Sequence, residues 1–202
     1  MLLSYPGLIQ EFNCNITGVI HVGGHNGEEF AEYSGLENLM VFEPMDFSFK
    51  QLKKSAAANN LSHAILINKA LGASRGTVTM NSDPTGLCAS VLKPKLHLEF
   101  SPDVKFTVNQ DVEMSTLDDE VPQDHPYNFL NMDVQGYELE VLKGGEKTLE
   151  KIQYVYTEVN RDESYENCAM IEELDEFLGA RGFSRVKEAW KGCWGDAFYL
   201  RG

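Results

Sequence analysis

The chain has 202 residues, 43% hydrophobic and 24% charged, a composition that fits one globular domain with a sizeable core and excludes disordered or fibrous classes. Asp and Glu number 31 against 17 Lys and Arg, a formal net charge of −14, and the nearest thing to a basic run is Lys93-Pro94-Lys95, so nucleic acid and anionic lipid are not expected partners. Four scattered cysteines (Cys14, Cys88, Cys168, Cys193), a start without a basic n-region, and no apolar run near the ~18 residues of a span predict reduced thiols, no transmembrane segment and a cytoplasmic location.

From the amino terminus, short β-like runs alternate with helix-like segments. Residues 18–22, GVIHV, predict a buried strand, and a helix is expected from about Gly27 through Tyr33. NLMVFE (38–43) predicts a second strand. From Asp46 to Asn59, Phe49, Leu52 and Ala56 recur at helical spacing, with Asp46 as the expected N-cap. HAILINKAL (63–71) predicts a third strand. Residues 72–117 then break the rhythm. GTVTMNSD and VKFTVNQDVEMSTL look strand-like around PTGLCASVLKPKLHLEF, which reads either as an insertion shaping a substrate site over the strand ends or as a variable surface excursion.

The rhythm resumes with a strand at 128–133 (NFLNMD), a helix at 137–150 and a strand at 152–159. A helix over 168–181 is expected, with Ile171, Leu174 and Leu178 on one face. SRVKEAW and DAFYLRG around KGCWG suit a hairpin, so the last strand should be antiparallel. This alternation predicts a single α/β domain over residues 1–202: a mostly parallel sheet with helices on both faces, and ligands outside the carboxyl ends of its strands.

The loop HVGGHNGEE fails the dinucleotide fingerprint G-x-G-x-x-G in both registers, because His25 or Asn26 stands where the second glycine belongs. What remains is Gly23-x-x-x-Gly27 directly after a strand. Glycines there allow positive φ and close backbone approach to a ligand, and the helix start offers free N–H groups. A purely steric strand-to-helix turn has the same pattern. Glu43 in VFEP strengthens the ligand reading: it ends the second strand about 20 residues on, where an acid accepts hydrogen bonds from ribose hydroxyls, and Pro44 forces the turn.

Asp133 ends the fourth strand at the ligand edge, and Gly136 permits a sharp start to the next helix. Glu138 suits the first turn of that helix for dipole reasons alone. Glu158 ends the fifth strand alongside, so Asp133 and Glu158 are expected to converge over the cleft. Two convergent carboxylates can share a proton, hold a divalent cation with Asn160 as a third oxygen ligand, or divide into base and orienter. No dense oxygen-ligand cluster is visible, so a divalent metal is an option the sequence does not predict.

Taken in order, HVGGHNGEE, VFEP, INKALG, STLDD, MDVQGYELEVLKGG and TEVN resemble the FkbM family of S-adenosylmethionine-dependent methyltransferases, over residues 18 to 160. The resemblance implies a class I methyltransferase (Rossmann-like) fold, with seven strands and the last one antiparallel. It also implies O-methylation, commonly of a hydroxyl on a sugar, lipid or polyketide. Carried over by position, Gly23, Gly24, His25, Asn26 and Gly27 would pass the methionine part of the cofactor, and Glu43 with Pro44 would hold the ribose. Asn68, Ala70 and Leu71 would lie near the adenine, and Asp133 with Val134 beside the methyl sulfonium. His21 departs from the family pattern, which has Asp there to position the amino group of the cofactor; Glu28 or Glu29 would have to substitute, or cofactor binding would weaken. Gln135 stands where Glu is common, a mild change.

Under this reading the acceptor alcohol loses its proton to a positioned base, first Asp133 and second Glu158, with His97 a looser third choice. Tyr137, Trp190 and Trp194 are candidates to stack on a sugar face; the alternative is a place in the core, favoured more for Trp190 than for Trp194. The expected acceptor is a neutral hydroxyl on a sugar or glycan, with a small natural product as another option. Two readings compete: a nicotinamide-dependent oxidoreductase on a similar sheet, and a non-catalytic binding module with a decayed cofactor site, for which His21 is the best support. The sequence leaves the oligomeric state open.

Overall fold

A computed structural model describes residues 1–202, apart from the side chain of Phe100. Seven strands form the main sheet: β1 (Val19–Val22), β2 (Leu39–Phe42), β3 (Ile65–Ile67), β7 (Phe129–Met132), β8 (Tyr154–Asn160), β9 (Phe183–Lys191) and β10 (Trp194–Arg201). Their order is β3-β2-β1-β7-β8-β10-β9. All neighbours from β3 to β8 run parallel, and β10 is antiparallel to both β8 and β9. This is the mostly parallel sheet with an antiparallel last strand that the alternation and the terminal hairpin predict.

The central strands are apolar on both faces because both are covered. Ile20, Met40, Leu130 and Val155 point to one side, into a core completed by α5 (Glu138–Lys143), α6 (Glu146–Leu149) and α7 (Ile171–Gly179). Val19, Val41, Phe129 and Tyr156 point to the other. There they meet α1 (Tyr5–Glu11), a 3-10 helix over Glu28–Tyr33, and α2 (Asp46–Ala58).

The remaining strands, β4 (Ala70–Leu71), β5 (Gly76–Ser82) and β6 (Val108–Ser115), form a second sheet in the order β4-β6-β5. Met80, Val112 and Met114 give it a small core, shared with Met45 of the main body. Two short helices complete the chain, α3 (His97–Phe100) within the 72–117 segment and α4 (Leu117–Glu120) after it.

Several elements differ from expectation. The strand expected over 63–71 is two strands in different sheets. Asn68 Nδ2 donates to the carbonyls of Glu43 and Pro44, at 2.9 Å each, and the chain leaves the sheet edge there to pair with β6. The helix expected over 137–150 breaks at Gly144-Gly145, because Gly144 lies against Gly72: a Cβ at Gly144 would sit 2.0 Å from the Gly72 carbonyl oxygen. Asp118 then caps the second piece, accepting from the N–H groups of Lys147 at 3.1 Å and Thr148 at 2.8 Å.

Asp46 is not the N-cap of α2. Met45 holds that position, with its N–H bound to Glu43 Oε1 at 2.7 Å, and Asp46 is the first helical residue. The helix at Gly27 is a single stretch of 3-10, entered from Gly27 at φ 76. Helix α1, capped by the Ser4 side chain, has no counterpart among the expected elements.

Candidate active site

The turn after β1 is shaped by close approach of the backbone. Gly23 and Gly24 donate their N–H groups to the Phe42 carbonyl at 3.0 and 2.9 Å, which folds the loop across the end of β2. Gly23 sits at φ 91, and a Cβ there would lie 1.9 Å from the Asp133 carbonyl oxygen, so glycine is needed on both conformational and steric grounds. The loop is then drawn to Glu43: His25 N–H donates to Glu43 Oε2 at 2.8 Å, while Met45 N–H occupies Oε1. Burial pushes the Glu43 carboxyl up to about 7, against the pull of those two amide bonds. An ionised carboxylate has about four acceptor positions, so each oxygen keeps one free.

A cavity of about 280 Å³ lies between this turn and the small sheet. Of the residues expected to hold a cofactor, Gly23, His25, Glu43, Pro44, Ala70, Leu71, Asp133 and Val134 line it. Four others do not. Gly24 faces Val41 and Leu52 on the opposite side, Gly27 shapes the helix start, and Asn68 holds the Glu43 and Pro44 carbonyls. Asn26 turns a buried side-chain oxygen into protein without a partner. Tyr137, expected against substrate, also lines this first cavity and packs on the core of the small sheet. Met80, Ala89 and Val91 from the 72–117 segment complete its apolar wall, and a sequence pattern confined to the parallel strands had no means of finding them.

A second cavity, of about 420 Å³, shares Met1, Leu87, Asp133 and Gln135 with the first and brings Glu158, His97 and Trp194 together with Tyr165 and Lys191. Asp133 and Glu158 converge as the strand order predicts, joined by one side chain. Gln135 Nε2 donates to Asp133 Oδ1 at 2.7 Å and to Glu158 Oε2 at 3.1 Å. Burial raises both carboxyls, and for Glu158 the neighbouring charges of Asp133, Glu138 and Asp196 raise it further, well above the usual carboxylate range. Glu138 has a definite local role. Its Oε1 accepts from Val134 N–H at 3.1 Å and Gly136 N–H at 3.2 Å, closing the turn beneath Asp133.

His97 stacks edge-on to Phe106 at 5.5 Å, and burial lowers its pKa. Trp194 is half-buried as the first residue of β10, with Lys191 Nζ 5.9 Å from its ring centre. Trp190 packs against the main core with Arg161 over its ring, as expected. Asn160 is fully buried and lines neither cavity, so it does not join the two carboxylates. Among the described residues no group of three or more His, Cys, Asp or Glu side chains is arranged to hold a metal ion.

His21 lines neither cavity. It is buried with Nδ1 3.1 Å from the Tyr33 hydroxyl, which itself accepts from Asn131 Nδ2 at 2.7 Å. The tyrosine proton is therefore directed at Nδ1, and the imidazole is neutral, in keeping with the downward push of burial. Glu28 and Glu29, the suggested substitutes, both line the first cavity.

Residues 21–185 match the family described as Methyltransferase FkbM domain. The 2-O-methyltransferase NoeI of Sinorhizobium fredii is 33% identical over 112 residues, which cover 54% of this chain and 45% of that protein; the match thus spans about half the length of this relative. Among solved structures, magnesium protoporphyrin IX methyltransferase (ChlM) from Synechocystis PCC 6803 with bound SAM superposes at a TM-score of 0.55 and 10% identity, over 96% of this chain and 74% of that one. The ribosomal protein L11 methylase from Lactobacillus delbrueckii subsp. bulgaricus gives 0.56 and 13%, with the same coverage of 96% and 74%. At such identities the likeness carries the fold, the Rossmann-like class I methyltransferase sheet. No helix of the described residues is long and apolar enough to cross a membrane. The family match covers most of the chain and coincides with the strands and turns that line both cavities: the chain belongs to the FkbM methyltransferase domain family.

Proposed function

We propose that the protein is an S-adenosylmethionine-dependent O-methyltransferase acting on a neutral hydroxyl, foremost on a sugar or glycan. The observation that carries this reading is the meeting of two cavities at Asp133, one framed by Gly23 and Glu43, the other by Glu158 and Trp194. The first suits the cofactor. The two free acceptor positions on Glu43 match a ribose diol, and Leu71, Met80 and Val91 offer an apolar wall for a purine. When bound, the cofactor supplies a methyl group already activated on a sulfonium. The protein then has to align the acceptor, exclude water and remove a proton.

Asp133 stands at the junction and is the base in this reading; a positioned base contributes typically ~10²–10⁴-fold. Trp194 offers an indole face for a sugar ring, and the neutral His97 imidazole is a hydrogen-bonding partner for a hydroxyl. The similarity to a 2-O-methyltransferase supports oxygen as the acceptor atom. The acidic surface disfavours polyanionic acceptors. Neither competing reading gains support: the oxidoreductase lacks its fingerprint, and the suspected decay at His21 lies away from both cavities.

Calorimetric titration with S-adenosylmethionine and S-adenosylhomocysteine, with NAD as control, tests the proposal. Binding of the first two that is weakened ~10–100-fold in Glu43→Ala is the expected result, followed by transfer of labelled methyl to neutral sugars in an acceptor screen. Absence of binding to either sulfur compound would sink the reading.

A further inference from the structure

The turn between Asp133 and Glu138 is more constrained than the start of a helix requires. Gln135 stands at φ 55 and Gly136 at φ 95, and only the second is a residue for which this region is easy. Ser90 Oγ donates to the Gln135 carbonyl at 2.7 Å, and Glu138 gathers the N–H groups of Val134 and Gly136, so the main chain is held from two sides. This conformation delivers the Gln135 amide between the two buried acids. Tyr165, itself buried, donates its hydroxyl to Gln135 Oε1 at 2.7 Å. Rotating the amide by half a turn would place Oε1 against two carboxylate oxygens, so this network sets its orientation.

We propose that Gln135, held by Tyr165, is a positioning residue that keeps Asp133 and Glu158 together as a pair with a single negative charge, on Asp133. The inference deepens the methyl-transfer reading of the same cavity and rests on it for its catalytic meaning. Two carboxylates in one buried site cannot both ionise easily. The two hydrogens on Nε2 serve one acid each, and the shorter bond, to Asp133, is the side where charge-assisted bonding is expected. Asp133 opens onto both cavities and Glu158 onto the second alone, so the charge rests where a hydroxyl can meet the cofactor. The proton released by the acceptor ends on Asp133, while Glu158 keeps its own.

The pair is faced by Glu138, Asp196 and Glu29, by the hydroxyls of Tyr165 and Tyr156, by the Cys88 thiol, by neutral His21, and by the amino group of Met1 as a cation. Lys191 and His97 line the same cavity. Apart from the Tyr165 hydroxyl, which Tyr165→Phe removes, these groups are common to wild type and variants, so a change on altering Gln135 alone reports the amide.

The test compares wild type with Gln135→Leu, Gln135→Glu and Tyr165→Phe by the pH profile of kcat and by carbon-13 NMR titration of labelled aspartate carboxyls. In Gln135→Leu, which also alters the wall of the cofactor cavity, cofactor affinity is measured alongside and should fall less than kcat on the acid limb, because the amide hydrogens go to the two acids and not to Glu43. The acid limb of kcat and the Asp133 midpoint should both rise by about one pH unit, with kcat about tenfold lower at a given pH on the acid limb and recovery in alkali. Gln135→Glu should shift both upward as well, and Tyr165→Phe should do so by less. An equal loss of kcat at every pH, or an Asp133 midpoint unmoved in all three variants, would overturn the proposal. The NMR measurement needs no turnover: a shifted midpoint in a protein that binds no S-adenosylmethionine would remove the methyl-transfer reading and leave the positioning role standing. If Gln135→Leu fails to fold, the other two variants carry the same comparison.

Discussion

The two cavities that meet at Asp133 hold their acids by different means. Glu43 is clamped by the main chain: the N–H groups of His25 and Met45 each take one of its oxygens. Asp133 and Glu158 are clamped by side chains, through Gln135 and Tyr165. A main-chain clamp depends on the path of the backbone and little on which side chains stand nearby. A side-chain clamp changes with one substitution. Under the proposed function the first cavity is the cofactor side and the second the acceptor side, and this contrast would suit one invariant methyl donor and variable acceptors.

The sharpest way to break this contrast is to disturb the backbone itself. Gly23→Ala places a Cβ at 1.9 Å from the Asp133 carbonyl oxygen, at a φ of 91 that disfavours any side chain. It should lower unfolding stability by ~3 kcal/mol or more in chemical denaturation and open both cavities together. A folded variant with normal ligand binding would show that the turn is not fixed by its backbone. Asp133→Asn acts on the shared wall only. It should reduce kcat by about 10²-fold or more while leaving cofactor affinity within a few-fold, read by single-turnover methyl transfer and calorimetry. Glu43→Ala should do the opposite, weakening S-adenosylmethionine by ~10–100-fold through loss of hydrogen bonds to a charged group.

A pH series sharpens the contrast without mutation. Glu43 and Glu138 both stand at about 7 in the folded protein, above their ordinary value of 4.5, because they are buried. The folded state then binds more protons than the unfolded chain between those values. Stability should be highest below pH 4.5 as far as these two groups are concerned, fall as pH rises to about 7, and stay level above it. The expected loss is of order 1–3 kcal/mol per group by urea unfolding at pH 5 and pH 8, and Glu43→Gln should flatten its share of the slope. The smallest effect is expected from Trp194→Ala, a several-fold rise in acceptor KM with kcat and cofactor affinity little changed, since an indole at the rim contributes binding and not chemistry.

The same difference decides how much of each site could be read beforehand. The cofactor side is written in contiguous pieces. Gly23 and Glu43 each end a parallel strand, and adjacent parallel strands bring their carboxyl ends together, so spacing along the chain becomes position in space. Asp133 and Glu158 are legible for the same reason. Tyr165 is not: it lies in the irregular stretch between β8 and α7, where no periodicity marks which way a side chain points. Leu87, Ala89 and Val91 are hidden in the same way in the 72–117 segment, whose fold over the cavity depends on pairing with residues far along the chain, such as the bridge between Pro94 and Tyr165 and the bond from Ser90 to Gln135. His21 shows the reverse error. Its place beside the glycine turn suggested a damaged cofactor site, but the alternation of a strand turns every second side chain away, and this one faces Tyr33 and Asn131.

By itself the sequence determined the sheet, its antiparallel end and the acids at its rim, because these follow from local periodicity and from the rule that consecutive strand–helix units lie side by side. Tertiary structure alone decided where the helix breaks at Gly144, where the third strand divides at Asn68, and that Gln135 joins two acids from different strands. Each of those outcomes is a contact between segments distant in the chain, a carbonyl against a glycine or an amide between two carboxylates. Such contacts leave no period in the sequence, since what selects them is the space left once the sheet has formed.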